Sequence, residues 1–287
     1  MNLANLDRRI VYLLVFLALS IPLVQRYSVR PARMESAEKL YRIVQELDSE
    51  KKGVAFVALD FGPNTKAENQ AQAEVVIEHL MRKRVPVVLF SLYALAEPFL
   101  KLVPERVASR LMKEHPGEKW VYGQDWVNLG YRPGASLLIQ SIPKSDDLDE
   151  LFKKDVRGND LKDLPATRHF KSLKDIVFLA EFTGLVGVFQ NYVQFFRSKD
   201  YVPKFGHGCT SITIPEAYIY MDSGQLNGLL EGIAGAAWYS ELLMRDNPER
   251  EIDSSALINT GLGVAHLILI ALIVFGNVMG FLERKKS

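Results

Sequence analysis

The chain has 287 residues, of which 48% are hydrophobic, and its 35 Lys and Arg residues nearly balance its 34 Asp and Glu residues. This balance excludes the strongly basic composition typical of nucleic-acid binders and the highly charged composition of disordered chains. The single cysteine, Cys209, excludes an intramolecular disulfide framework and any metal centre that needs several thiolates. The sequence predicts no cofactor, no metal and no nucleic-acid partner.

The first apolar run lies near the N-terminus. Residues 10–24 read IVYLLVFLALSIPLV, and no charged residue follows before Arg26. The run is slightly shorter than the roughly 20 residues that span a bilayer, but Arg8 and Arg26 can extend it by reaching the headgroups. A cleaved signal peptide is the alternative, although no convincing small-residue cleavage site follows the run. We predict an uncleaved transmembrane helix over residues 10–26.

A second apolar run lies near the C-terminus. The chain has no Asp, Glu, Lys or Arg from Ser254 to Leu282, which is long enough to span a bilayer with some tilt. We predict a transmembrane helix over residues 256–282. His266 and Asn277 lie inside it, where polar side chains usually face protein or water.

The flanking charges predict the orientation. The tails, residues 1–9 and 283–287, are short and positive, which places both in the cytoplasm. Three arginines directly after the first span argue against this orientation, but two spans still put both tails on one side. We predict a two-pass protein of the cell membrane, in contact with lipid, with residues 27–255 as an extracytoplasmic domain.

The middle of the chain reads as an α/β domain. GVAFVAL (53–59) and VPVVLFSL (85–92) are continuous apolar runs, which are typical of strands buried on both faces. Amphipathic segments at 35–51, 66–84 and 96–115 alternate with them and predict helices. Strand–helix–strand units at this spacing favour a mainly parallel sheet in a three-layer, Rossmann-like domain between the two membrane helices.

The rest of the domain is less regular. The following elements are predicted: strands at 119–123, 175–182 and 208–214, a strand or short helix at 134–142, a helix at 185–198, and a polar surface excursion at 144–174 containing one helix at 147–153.

Small residues recur every fourth position in the segment 223–244. They are Gly224, Gly228, Gly232 and Ala236, and we predict that they form a smooth ridge on one helix. Because glycine costs up to about 1 kcal/mol inside a helix, such a ridge needs a reason. It could pack tightly inside the domain, associate with another copy or partner, or line a phosphate site.

The second span carries a similar pair. Gly276 and Gly280, in GNVMG, would let another helix approach closely within the bilayer. The two glycine-containing surfaces together predict a homo-oligomer, which could also include another membrane subunit.

Three segments of the domain resemble blocks of a group of membrane-anchored prokaryotic proteins of unknown function. The segments are YIYMDSGQLNGLLEGIAGAAWYSELL, YRPGASLLIQSI and LKDLPATRHFKSLKDI, and the resemblance covers roughly residues 53–243. It implies no activity, cofactor or catalytic residue for any position.

Polar residues follow the predicted strands, at the edge where open parallel sheets bind ligands. Asp60 and Asn64 follow the first strand, Ser91 closes the second, and Glu181 lies near the end of a later one. We predict these four residues as a ligand-binding site. The alternative for Asp60 is a turn former or helix cap in DFGPN.

A weaker candidate is His207, two residues before the single cysteine. On a strand the two side chains would share a face and could form a thiol–imidazole pair or part of a metal site. Packing without a functional role explains this spacing equally simply.

Three functions remain open. The first, which the sequence favours, is a non-catalytic assembly or scaffold subunit of an oligomeric membrane complex. The second is an extracytoplasmic domain that senses a ligand or binds a solute. The third is a membrane-tethered hydrolase that works from Asp60 and Glu181, but the sequence contains no GxSxG elbow, HExxH motif or glycine-rich strand-to-helix loop. No catalytic residue is therefore predicted.

Overall fold

The computed structural model describes residues 8–48 and 53–284, and within these residues the chain forms ten α-helices and six β-strands. The helices in chain order are α1 (Arg8–Gln25), α2 (Glu35–Gln45), α3 (Lys66–Arg82), α4 (Glu97–Glu114), α5 (Ala135–Ser141), α6 (Leu148–Phe152), α7 (Val188–Phe195), α8 (Ile214–Asp222), α9 (Gly232–Asp246) and α10 (Ser254–Arg284). The strands are β1 (Val54–Leu59), β2 (Val87–Ser91), β3 (Trp126–Tyr131), β4 (Ile176–Thr183), β5 (Lys204–Cys209) and β6 (Gly228–Glu231). The contacts divide the chain into two compact units, residues 33–250 and the two ends together.

The unit of residues 33–250 is built on one sheet. All six strands are parallel and pair in the order β3-β2-β1-β4-β5-β6. The predicted adjacency of β1 and β2 is confirmed, with Ala55 opposite Val87. Helices α2, α3, α4 and α9 cover one face and α5 to α8 the other, which confirms the three-layer α/β domain. The strand order reverses between β1 and β4, and open parallel sheets bind ligands above such a point.

The apolar strands explain why the sheet lies in the middle. Every residue of β1 is buried, because a strand covered by helices on both faces has no side in water. The face under α5 to α8 has an aromatic core, in which the ring centroids of Phe56 and Phe90 are 4.2 Å apart. Phe152, Phe170 and Phe196 surround Phe56 on the same face.

Buried ion pairs tie the last residue of this unit to α3. The Glu78 carboxylate accepts hydrogen bonds from the Arg250 guanidinium at 2.7 and 2.9 Å, from Arg82 at 2.9 Å and from Arg110 at 2.6 Å. Burial raises the pKa of Glu78, but the three guanidinium groups outweigh burial and hold the pKa at about 2. The segment that follows α9 is thereby fastened to the middle of the domain.

One strand lies later in the chain than predicted. Residues 119–123 were expected to form a strand, and that expectation is wrong. They turn instead, since the Asp125 carboxylate accepts a hydrogen bond from the main-chain N–H of Val121 at 2.7 Å. β3 begins only at Trp126.

The strand predicted at 208–214 is also misplaced. β5 ends at Cys209, and the next residues form a turn in which the Thr213 N–H donates to the Thr210 carbonyl at 3.0 Å. The segment 134–142, open between strand and helix, forms α5. The predictions of α3, α4, α7, β1, β2 and β4 are confirmed. The helix predicted at 35–51 is confirmed as α2 only as far as Gln45, and residues 49–51 of that range lie outside the described residues.

The excursion at 144–174 is not confined to the surface. Its predicted short helix is present as α6. However, Leu148, Phe152 and Phe170 are fully buried in the aromatic core. These apolar residues are too widely spaced in the sequence to show a period, so their burial could not be read from it.

The single helix predicted over 223–244 is wrong in its first part. Gly228 begins β6, and α9 starts only at Gly232. Gly224 has a φ of +73° in a turn, and Gly232 has a φ of +53° at the junction between β6 and α9. Both lie in the left-handed region that favours glycine. The spacing of four residues therefore reflects turns and a strand as well as a helix.

The close approach that these glycines predicted occurs inside the domain. A Cβ atom on Gly228 would lie only 2.6 Å from the Cα atom of Leu40, so α2 rests directly on β6. Ala236 is fully buried in α9. Gly224, Gly228, Gly232 and Ala236 thus do not share one helix face.

The two ends of the chain form α1 and α10, which are long and apolar enough to span a membrane. The two helices contact each other. A Cβ atom on Gly261 would lie 3.4 Å from the main chain of Leu19, whereas one on Gly276 or Gly280 would have no described atom within 4 Å. The His266 Nδ1 atom lies 2.7 Å from the Leu262 carbonyl oxygen, so this polar side chain has a partner within its own helix.

The predicted spans, 10–26 and 256–282, coincide with these two helices. Of the predicted cytoplasmic tails, residues 1–7 and 285–287 lie outside the described residues.

Candidate functional site

Three of the four predicted ligand-binding residues lie together at the carboxyl edge of the sheet. Asp60 follows β1 and Ser91 ends β2, while Glu181 lies on β4 opposite Ala58 of β1. They meet where the strand order reverses. Asn64 is exposed in the turn before α3 and is not part of this cluster.

Asp60 is completely buried, and three donors surround its carboxylate. The Ser91 hydroxyl donates to Oδ1 at 2.9 Å, the Leu92 main-chain N–H donates to Oδ1 at 2.6 Å, and the Tyr192 hydroxyl donates to Oδ2 at 2.7 Å. Burial raises the pKa of Asp60, and the three hydrogen bonds partly oppose that rise. Asp60 thus holds β1, β2 and α7 together, rather than forming the turn or helix cap considered from the sequence.

Glu181 is equally buried but poorly partnered. Its Oε2 atom lies 2.7 Å from Nδ1 of His207, yet the hydrogen-bond geometry of that nitrogen fits the main-chain carbonyl of Glu181 at 3.1 Å. Among the described residues neither carboxyl oxygen has a partner with hydrogen-bond geometry. Burial, together with the nearby charge of Asp60, raises the pKa of Glu181 well above its ordinary value.

His207 is a neutral neighbour of Glu181. Its burial lowers its pKa to about 3. Burial thus shifts the pKa values of Glu181 and His207 in the directions that favour the uncharged form of each group. One face of the imidazole is covered by Phe189 of α7, with 4.1 Å between ring centroids.

No cation balances the two carboxyl groups. Within residues 8–48 and 53–284, neither Asp60 nor Glu181 forms an ion pair with a lysine or arginine. Burial and these two neighbouring acids also raise the pKa of Tyr192 well above its ordinary value. The cluster therefore has acceptor oxygens and potential negative charge in a place from which water is excluded.

The space above the cluster is closed in this structure. A cavity of about 10 Å³ lies between β4, β5, α7 and α8, and Thr183, His207 and Glu216 are among its lining residues. This volume suffices for roughly one water molecule. Because Phe189 and Tyr192 both come from α7, that helix forms the cover of the site.

Tyr192 and the role of His207 were not predicted. The segment 185–198 was recognised as a helix, but nothing in its sequence indicates that Tyr192 reaches a carboxylate 132 positions earlier in the chain. The thiol–imidazole pair suggested for His207 and Cys209 does not form. The thiol instead lies 3.7 Å from the Leu230 carbonyl, and burial raises its pKa to about 12.

Chemically, the site can hold a proton or accept hydrogen bonds, and within the described residues no group of three or more His, Cys, Asp or Glu side chains could hold a metal ion. Comparisons of the chain with protein-family models, curated proteins and solved structures return no match. The geometry of the site is therefore the basis for assigning a function.

Proposed function

We propose that the chain is a membrane-tethered binding domain and that its ligand is a small amine held by Asp60 and Glu181. The observation that carries this proposal is the pair of fully buried carboxyl groups with no protein cation beside them. Burying a polar group without a partner costs about 1–3 kcal/mol, and more for a charged one. In folded proteins such unpaired buried groups are expected mainly at functional sites, where a ligand can supply the missing partner.

An ammonium group fits this environment. It supplies the missing positive charge and up to three donors, which match the free oxygens of Glu181. The rings of Phe189 and Tyr192 border the cluster and would contact the cation favourably. Burial raises the pKa of Glu181, and a bound ammonium group would lower it again by favouring the carboxylate. Amine binding would therefore be coupled to loss of this proton, so affinity should rise with pH.

The ligand must displace α7 to enter. Gly184 and Gly187 flank the loop that leads from β4 into this helix, and Gly187 has a φ of +86° with open space around it. Val186, between them, is 78% exposed. We assign this glycine-flanked loop as the hinge on which α7 moves.

The test is thermal unfolding of the full chain in detergent with ethylammonium, 1,4-diaminobutane or choline, and with acetate as the anionic control. At least one amine should raise the unfolding temperature, and Glu181→Gln and Asp60→Asn should abolish the shift. Glu231→Gln is the matched control, since Glu231 is a buried carboxyl at the end of β6 that accepts from Tyr218 at 2.7 Å. If no amine stabilises the wild-type chain, or all three variants respond alike, the proposal fails.

A second candidate function is a homo-oligomeric assembly subunit, as the sequence predicts. It is supported by Gly276 and Gly280 of α10, whose surface has no described neighbour and would admit another helix in the bilayer. Mass in mild detergent tests it: Gly280→Leu should dissociate the oligomer, whereas a monomeric wild-type chain would refute it. In both functions we place the tails in the cytoplasm and the α/β domain outside, on the strength of the flanking charges.

A further inference from the structure

A groove lies far from the amine site, on the outer side of the sheet between α4 and the edge strand β3. Its volume is about 350 Å³, which is within the range of pockets that bind small molecules. Its lining includes Trp126 and Asn128 of β3, Tyr122, Lys101 of α4, and Arg157 of the chain after α6.

A short hairpin fixes the position of Arg157. Lys154 and Asp160 pair as an antiparallel bridge, and the Val156 N–H donates to the Asn128 carbonyl of β3 at 3.0 Å. Inside the hairpin the Asp155 carboxylate accepts from the main-chain N–H groups of Arg157 and Asn159, at 2.9 and 2.8 Å. The hairpin is therefore held against the sheet edge before any ligand arrives, which lowers the entropy cost of binding.

The polar groups that face the groove are mainly donors. The indole N–H of Trp126 and the amide N–H groups of Asn128 have no hydrogen-bond partner among the described residues, while Asn128 Oδ1 already accepts from the Gly130 N–H at 2.8 Å. Arg157 and Lys101 add two cationic donors.

The one acid at the groove does not satisfy these donors. Glu105 lies 3.8 Å from the Arg157 guanidinium, and both side chains are about half exposed, so this ion pair is weak. Lys101 and Arg157 thus supply two cations to a lining that contains one acid, while the nearby Asp155 carboxylate is occupied by the Tyr122 hydroxyl, which donates to it at 2.8 Å. The Arg157 guanidinium also stacks over the Tyr122 ring, 3.5 Å from its centroid, and this contact helps to fix the position of the charge.

We propose that this groove binds a small organic anion with a planar ring. Its carboxylate would accept from Arg157, Asn128 and Trp126, and its ring would lie against the apolar lining residues Leu100, Trp126 and Val156. A guanidinium is well suited to this task, because its donors match the two oxygens of a carboxylate. The site is independent of the amine site, and either can exist without the other.

Isothermal titration of the full chain in detergent tests the proposal with three probes of one shape: benzoate, benzamide and benzylamine. Benzoate should bind at least about tenfold more tightly than the neutral amide. Benzylamine, titrated into the Glu181→Gln variant so that the amine site does not contribute, should not bind. Arg157→Gln should weaken benzoate binding about tenfold. Asn128→Asp should abolish it, because it keeps the acceptor for Gly130 but places a negative charge at the anion site. Arg42→Gln, at an exposed arginine of α2, is the matched control and should change nothing.

Three results would overturn the assignment. One is equal affinity for benzoate and benzamide, which would mean that the groove does not distinguish an anionic ligand from a neutral one. Another is the absence of benzoate binding up to about 10 mM, a concentration at which even a weak specific contact registers. The third is an equal loss in the Arg157→Gln and Arg42→Gln variants, which would trace the effect to net charge alone.

Discussion

The hydroxyl of Tyr192 donates to the carboxylate of Asp60 across 2.7 Å, and both side chains are fully buried. This contact joins α7, the cover of the candidate site, to the carboxyl end of β1. The cover is therefore held closed by the same carboxylate that is proposed to bind the ligand. A ligand that engages Asp60 competes directly with the bond that closes the site.

Removing that hydroxyl should loosen the cover. Tyr192→Phe keeps the ring but leaves the buried carboxylate with one donor fewer, so we expect a loss of about 1–3 kcal/mol in the free energy of unfolding. The comparison is Tyr201→Phe, which removes a hydrogen bond of 2.8 Å to the uncharged carbonyl of Ile176. Denaturant titration of both variants should show the larger loss for Tyr192→Phe, and an equal or smaller loss would contradict this account.

Two buried histidines should make the fold sensitive to mild acid. The pKa values of His79 and His207 are lowered to about 3 by burial, against 6.5 for an ordinary histidine. Between these values the unfolded chain binds protons that the folded chain rejects. Stability is therefore complete above pH 6.5 and falls with decreasing pH, by about 1.4 kcal/mol per pH unit for each histidine.

Denaturant midpoints at about pH 7, 6 and 5 measure this slope. His79→Gln should reduce the slope by about 1.4 kcal/mol per pH unit below pH 6.5, whereas His169→Gln, at an exposed position, should leave it unchanged. A slope that His79→Gln does not alter would show that other groups dominate acid unfolding.

Glu181 should act in the opposite direction. Its pKa is raised in the folded state above the ordinary 4.5, so the native chain keeps a proton that the unfolded chain releases. This contribution to stability is present below pH 4.5 and is lost as pH rises toward the folded pKa. Glu181→Gln has no such proton, so its stability relative to wild type should increase from about pH 5 to pH 8. A relative stability that stays constant or decreases over this range would mean that Glu181 is ionised in the native protein.

The strands that could be predicted are those whose burial is continuous. β1 and β2 are unbroken apolar runs, and a fully buried parallel strand needs no other signal. β3 mixes Asn128 and Gly130 into a short edge strand, which conceals it. β6 has only four residues, and the glycines in and around it are spaced four residues apart, which is also the spacing of residues on one face of a helix. Gly228 is required because α2 approaches it closely at Leu40. That contact joins distant parts of the chain, so the sequence around Gly228 does not reveal it.

Some residues of the candidate site could be predicted from the sequence, and others could not. The rule that parallel strands end at one edge located Asp60, Ser91 and Glu181. Tyr192 and His207 complete the cluster through packing of α7 and through the pairing of β4 with β5. Those contacts depend on how helices dock on the sheet, which no spacing in one sequence specifies.

The approach of α2 to β6 should tolerate no side chain. Gly228→Ala would place a Cβ atom 2.6 Å from the Leu40 main chain, so α2 must move away from the sheet. We expect a loss of about 1–3 kcal/mol in unfolding free energy, as for other overpacked sites. Gly117→Ala, where a Cβ atom meets nothing within 4 Å, is the matched control and should be nearly neutral in the same thermal melt. Similar melting of both variants would show that α2 yields without cost.

The single cysteine makes the membrane orientation easy to test. Cys209 is fully buried, so the wild-type chain should not react with an impermeant maleimide. Val186→Cys and Val202→Cys place a thiol at opposite edges of the sheet, at positions that are 78% and 62% exposed. Both should react on intact cells if the domain is extracytoplasmic. Reaction only after the membrane is permeabilised would reverse the orientation.

The Glu78–Arg250 pair also determines how force would travel through the chain. Arg250 immediately precedes the segment that enters α10, so tension on that segment first meets a buried ion pair to Glu78 in the C-terminal part of α3. Force applied from the C-terminal side reaches Arg250 before it reaches the end of α9. The Glu78–Arg250 pair must therefore break before α9 can separate from the sheet. Separating such a pair costs about 3–5 kcal/mol when one partner is lost. A fragment that ends before residue 250 would therefore leave the buried Glu78 carboxylate without its two hydrogen bonds from Arg250.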